Sequence, residues 1–107
     1  MKELIKKLVE AYGPSGCEQE VSALIRAEIG VKADEIRSDN LGNLIALKKG
    51  TGGGKRIMVS AHMDEIGLIV SYIDKKGFAR IGSVGGIPIA TLTGSRARFA
   101  DGTVGVL

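Results

Sequence analysis

The sequence predicts an α/β fold, and three observations carry that prediction. Apolar residues recur at helical spacing in the first thirty positions. Short strand-like segments flanked by Asp, Asn and Gly turns follow them. From about Gly67 the chain becomes glycine-punctuated and reads as antiparallel strand throughout. At 107 residues this is one small domain or part of a larger one. Its residues are 44% hydrophobic but only 4% aromatic, with no Trp, so any core must be aliphatic.

Leu4, Ile5, Leu8, Val9 and Tyr12 define an amphipathic helix over about residues 2–12, stopped by Gly13-Pro14. Ser15-Gly16-Cys17-Glu18 reads as a capping box, with Ser15 as N-cap and Glu18 reaching back. The helix it opens carries Val21, Leu24, Ile25 and Ile29 on one face and ends at Gly30. Residues 35–38 and 43–48 flank Asp39-Asn40-Leu41-Gly42 as a first hairpin. Gly50-Thr51-Gly52-Gly53-Gly54 is a surface turn: it lacks the Gly-Lys-Ser/Thr ending and following helix of a phosphate loop. Residues 56–61, a nearly continuous apolar run, are expected to form a central strand. Residues 67–73 and 78–81 flank a second hairpin turn, Asp74-Lys75-Lys76-Gly77, after which residues 82–88 look too glycine-rich for regular structure. Residues 96–99 and 103–107 flank Ala100-Asp101-Gly102 as a third hairpin of β-barrel type. The chain stops inside that strand on an apolar, unpaired edge, which hints at truncation.

Charge excludes some partners. Fifteen basic residues against twelve acidic ones leave +3, and the basic residues are scattered rather than striped, so no nucleic acid is expected as a partner. No apolar run approaches the ~18–20 residues that span a bilayer, so no membrane partner is expected either. The N-terminus mixes Lys and Glu through its apolar positions, unlike a signal peptide. The lone Cys17 can form neither an internal disulfide nor a thiolate metal site; it reads as an inert small residue near a helix start and favours a cytoplasmic setting.

Chemistry concentrates in Ala61-His62-Met63-Asp64-Glu65-Ile66-Gly67, which holds the only histidine. Alternation along an extended segment points His62 and Asp64 the same way, and Glu65 the opposite way. Three readings stand. His62 binds a metal through one ring nitrogen while Asp64 takes the other N–H. Alternatively the pair is a base and its orienter for a nucleophile, although no Gly-x-Ser-x-Gly motif is present. Or His62 is a structural histidine satisfied by a neighbouring carboxylate. The carboxylates of Asp39, Asp74 and Asp101 sit in turns, where Asp serves the local backbone.

Four segments in order resemble one family: Ala11-Tyr12-Gly13-Pro14-Ser15-Gly16, Asp39-Asn40-Leu41-Gly42-Asn43-Leu44-Ile45-Ala46, the histidine motif, and residues 78–86 with Val84-Gly85-Gly86. They are similar to the dinuclear-metal aminopeptidases that include glutamyl aminopeptidase and the tetrahedral (TET) aminopeptidases, whose members often carry the label endoglucanase or cellulase. The resemblance implies the N-terminal part of an α/β metallopeptidase catalytic domain over residues 1–66. It also implies the start of an inserted β-barrel dimerisation domain over residues 67–107.

By that resemblance His62 is the metal ligand, Asp64 is the catalytic-site carboxylate that supports it, and two divalent ions, zinc or cobalt, serve the complete enzyme. Peptide is the implied substrate and a homo-oligomer the implied assembly. Family members are much longer, and their bridging Asp and general-base Glu have no counterpart here. The chain alone is therefore expected to bind no metal tightly and to be inactive. A second class of reading is a non-catalytic interaction or oligomerisation module that keeps part of the fold. A glycosidase reading would need two carboxylates flanking the scissile bond, and no such pair stands out.

Overall fold

A computed structural model describes the backbone of all 107 residues and every side chain except that of Ile89. The chain is a small α/β structure divided into two compact units, Met1–Asp64 and Glu65–Leu107. In order it contains α1 (Lys2–Glu10), α2 (Gln19–Gly30), β1 (Glu35–Ser38), β2 (Leu44–Leu47), β3 (Gly67–Ile73), β4 (Ala79–Val84), a 3₁₀ turn (Ile89–Thr91), β5 (Arg96–Arg98) and β6 (Val104–Val106).

The first unit is a helix pair with one hairpin. Helix α1 ends two residues before the sequence suggests. Ala11 is already extended (φ −68°, ψ 148°) and leads into Gly13-Pro14, where proline disfavours helical backbone at the residue before it. Ala11, at that exit, is 5% exposed and Val21 of α2 7%, the two buried apolar residues among those described. Leu24, Ile25 and Ile29 continue the same α2 face half-buried, as their spacing predicts.

The expected capping box forms only in part. Helix α2 starts at Gln19 with Glu18 at its N-cap and no side-chain cap bond. Glu18 does reach back, accepting the Gly16 N–H at 2.6 Å. Ser15 does not cap, because its hydroxyl is committed elsewhere, as described below.

Each hairpin turn holds an Asp that accepts backbone N–H groups and a left-handed glycine after it; the Asp opens the first two turns and stands inside the third, where Phe99 takes the opening position. Asp39 Oδ1 accepts from the N–H of Leu41 (3.0 Å) and Asn43 (2.9 Å), and Gly42 follows at φ 86°. Asp74 Oδ1 accepts from the N–H of Lys76 and Phe78, with Gly77 at φ 87°. Asp101 Oδ1 accepts from the Thr103 N–H, with Gly102 at φ 86°. These local bonds set the antiparallel registers Ser38↔Leu44, Ile73↔Ala79 and Arg98↔Val104. At the open end of the first hairpin, Asp34 accepts the Lys49 N–H (2.6 Å) and faces Lys48 Nζ (3.3 Å).

Two strand expectations need correction. Residues 56–61 are not a strand: they are irregular and exposed, with Ile57, Met58 and Val59 at 87%, 90% and 91% exposure. A strand exists only through a partner's ladder, and among the described residues nothing pairs with this run. Conversely, β4 runs on to Val84 through a stretch expected to be irregular. Gly82 stands opposite Ile69 in the register, and a Cβ there would lie 3.5 Å from Ile69 Cγ2. The facing isoleucine covers the space, so the glycine does not interrupt the ladder. Pairing ends at Gly85 (φ 82°). No helix is long and apolar enough to cross a membrane among the described residues.

The turn carboxylates give the fold an acid limit. Asp39 is held below the usual carboxylate range first by the Asn43 side chain and then by turn N–H groups, Asp34 chiefly by the Lys49 N–H, and Asp101 chiefly by the Thr103 N–H. A pKa lower in the folded state means stability present above the unfolded value of about 3.9 and lost as pH falls through the folded one. The Leu41 and Asn43 amides should therefore stay protected from hydrogen exchange near neutrality and lose protection below about pH 4. Unchanged protection down to about pH 2 would contradict this assignment.

Candidate functional site

The segment that carries the lone histidine lies against the turn between α1 and α2, within the first unit. Gly13 makes that approach possible. It is buried, and a Cβ built on it would lie 2.5 Å from Val21 Cγ2 and 3.8 Å from the Met63 carbonyl oxygen. Only a residue without a side chain lets the turn settle between the α2 face and the backbone of Met63. The turn is then closed by the Cys17 N–H donating to the Pro14 carbonyl at 2.7 Å, with Gly16 at φ 90°. Ser15 projects from it toward Asp64.

At the site, Asp64 binds on both sides. Its Oδ2 accepts the Ser15 hydroxyl across 49 residues of sequence, and its Oδ1 lies 3.1 Å from His62 Nδ1. His62 Nδ1 also lies 3.0 Å from the Asp64 carbonyl oxygen. A backbone carbonyl and an ionised carboxylate can only accept. Nδ1 must therefore carry the proton in these contacts, which in the neutral ring leaves the lone pair on Nε2. The Ser15 hydroxyl is the largest influence holding the Asp64 carboxyl below its usual range; partial desolvation opposes it and the His62 contact reinforces it. The acceptor is thus ionised at neutral pH.

The structure brings His62 and Asp64 together, although not as neighbours on a strand end. The ring remains open, with a side-chain exposure of 86% against 39% for Asp64. A base–orienter pair serving a nucleophile would place a hydroxyl on the free ring nitrogen. Here the serine hydroxyl is on the carboxylate, at the far side of the pair. Ser15 is the site residue that the sequence did not reveal: its turn was visible, but its partner 49 positions away was not. Glu65 begins the second unit and is exposed. Cys17 is free and exposed.

As a metal-holding arrangement the pair suits one position. An imidazole whose Nδ1–H is held by a carboxylate presents Nε2 as a fixed, more basic donor. Zinc takes three or four protein ligands. Among the described residues no group of three His, Cys, Asp or Glu side chains comes together, so the donor set fits a single corner of such a site.

The sequence pattern of the M42 glutamyl aminopeptidases matches residues 42–106. This chain belongs to that family. Lysyl aminopeptidase of Pyrococcus furiosus is 42% identical over 112 aligned residues, which cover 98% of this chain and 32% of the relative. The TET aminopeptidase of a marine sediment archaeon of the Thaumarchaeota superposes with a TM-score of 0.88 at 39% identity, over 98% of this chain and 30% of its own. A Thermotoga maritima structure named endoglucanase superposes with a TM-score of 0.77 at 39% identity, over 87% of this chain and 30% of its own. The aminopeptidase resemblance and the endoglucanase label expected from the motifs are both found. The chain spans about one third of the length of the curated relatives it matches.

The geometry makes Gly13 a sensitive position. Gly13→Ala should drive a methyl into Val21 and lower the stability of the first unit by about 1–3 kcal/mol, the usual cost of overpacking. Urea unfolding monitored on first-unit amides checks this; an unchanged midpoint would show that Val21 yields freely.

Proposed function

We infer that this chain is the N-terminal portion of a metal-dependent M42 aminopeptidase, which removes N-terminal residues from peptides with a two-metal-activated water. The observation that carries the reading is the contact of His62 Nδ1 with two Asp64 oxygens, which implies Nδ1–H and an open Nε2, in a chain of the aminopeptidase family. His62 is proposed as the metal ligand and Asp64 as the carboxylate that orients it. Bound zinc or cobalt would supply Lewis acidity toward a scissile carbonyl and a lowered pKa for a coordinated water. This chain's own part is narrower: to fix the ring's proton at Nδ1 and aim Nε2 outward.

Residues 1–66 are assigned on this reading to the catalytic α/β domain, and residues 67–107 to the start of an inserted β-barrel dimerisation domain. The two hairpins of residues 67–107, β3–β4 and β5–β6, supply antiparallel strands of the kind a barrel uses. Peptide is the proposed substrate class of the complete enzyme, which is proposed to be cytoplasmic and homo-oligomeric. The chain alone is proposed to lack turnover, since one histidine cannot hold a pair of ions.

Because His62 is the only histidine, its ring can be followed without interference. After dialysis against zinc the 107-residue chain should retain no stoichiometric metal and hydrolyse no aminoacyl nitroanilide. Excess zinc should nevertheless shift the ring at Nε2, and His62→Ala should abolish that response. Two retained ions per chain, or turnover by the chain alone, would overturn the reading; no response at Nε2 would favour the non-catalytic interaction module instead.

The exposed run Ile57-Met58-Val59 and the open hairpin edges support a second expectation. Sedimentation should show self-association that grows with concentration. A sharp monomer at high concentration would contradict it.

A further inference from the structure

Ser15 stands outside the histidine motif, and the reaction proposed above does not use it. Its hydroxyl nevertheless ends on the one carboxylate that touches His62. We propose that Ser15 is a positioning residue for the His62 ring, acting through Asp64.

A carboxylate is by itself a soft partner for a ring. Rotation about the Cβ–Cγ bond of Asp is broad and nearly two-fold, so packing alone does not decide which oxygen faces a neighbour or at what tilt. Asp64 is 39% exposed, and water is available to both oxygens. Two directed bonds define its plane where one would not: Ser15 takes Oδ2 and His62 takes Oδ1. Bonds to a carboxylate acceptor are the stronger kind, so both partners hold it firmly.

Ser15 in turn is held by its surroundings. Gly13 seats the turn against Val21 and the Met63 backbone, the Cys17 N–H closes it on Pro14, and Glu18 ties the Gly16 N–H. The hydroxyl is therefore presented by backbone fixed on both sides, and it opposes rotation of the carboxylate away from Nδ1.

The consequence concerns the ring's proton. With the carboxylate plane held, the Nδ1–H form is favoured and Nε2 keeps its lone pair. With Asp64 free to turn toward water, the exposed ring gains access to the Nε2–H form, which has no lone pair at Nε2 to offer a metal. The relevance to a metal rests on the ligand reading given above; the control of the tautomer does not.

The test uses nitrogen-15 spectroscopy of the single imidazole at a pH where it is neutral. In the unaltered chain the Nδ1–H form should dominate. Ser15→Ala should move the tautomer ratio toward Nε2–H by about two- to tenfold, the range of one net hydrogen bond. Ser15→Thr, which keeps a hydroxyl, should restore it. Zinc response at Nε2 should weaken in parallel in Ser15→Ala and recover in Ser15→Thr.

An unchanged ratio in a folded Ser15→Ala chain would overturn the proposal. The ligand reading would then be judged separately, by the zinc response of the unaltered chain. Should Ser15→Ala fail to fold, Ser15→Gly provides the same deletion with a freer backbone. Loss of fold in both would also overturn the proposal, since Ser15 would then be a folding residue and not a positioning one.

Discussion

The carboxylate of Asp64 joins two parts of the chain that packing alone joins weakly. On one side is the turn between the helices; on the other is the short segment carrying the histidine. Each oxygen has its own partner, so the serine hydroxyl and the ring converge on the carboxylate from opposite sides. Donors run from both ends toward the acid. The ring's other nitrogen has no partner in that arrangement, so the chemistry of the site depends on how firmly the acid is held.

That dependence is sharpened by how little is buried. Ala11 and Val21 are the buried apolar residues among those described, with Gly13 between the helix face and the Met63 backbone. A small chain buries a small share of its apolar surface. Polar ties such as Asp64 with Ser15, Asp34 with Lys49 and Arg26 Nη2 with Ser38 Oγ (2.9 Å) then account for a larger fraction of what orders the first unit. In the second unit the corresponding work is done by the Asp-Gly turns and the ladders they set.

What could be read in the sequence follows the range of the interactions. The hairpins were legible because an Asp with a glycine shortly after it, three residues on in the first two and adjacent in the third, acts within its own turn. The α2 face was legible because its period is local. The strand expected at residues 56–61 was not, since apolar pattern shows a capacity to pair and not the presence of a partner. The extent of β4 was missed because Gly82 is tolerated only through Ile69 across the ladder. His62 and Asp64 were visible as a pair, two residues apart. Ser15 was read as a helix cap, the commonest use of that residue in that place, and nothing local distinguishes a cap from a contact made 49 positions away.

The run before His62 has one further consequence. Residues 55–61 are irregular, exposed and without hydrogen bonds among the described residues, and Lys55 and Arg56 stand at their start. A protease cleft requires an extended, unbonded backbone, and a trypsin-like enzyme requires a basic side chain at the cut. Cleavage there would separate the serine turn from the imidazole and its acid while leaving every residue of the site intact. The covalent continuity of the serine–carboxylate–imidazole chain thus passes through the segment of the first unit least protected from proteolysis.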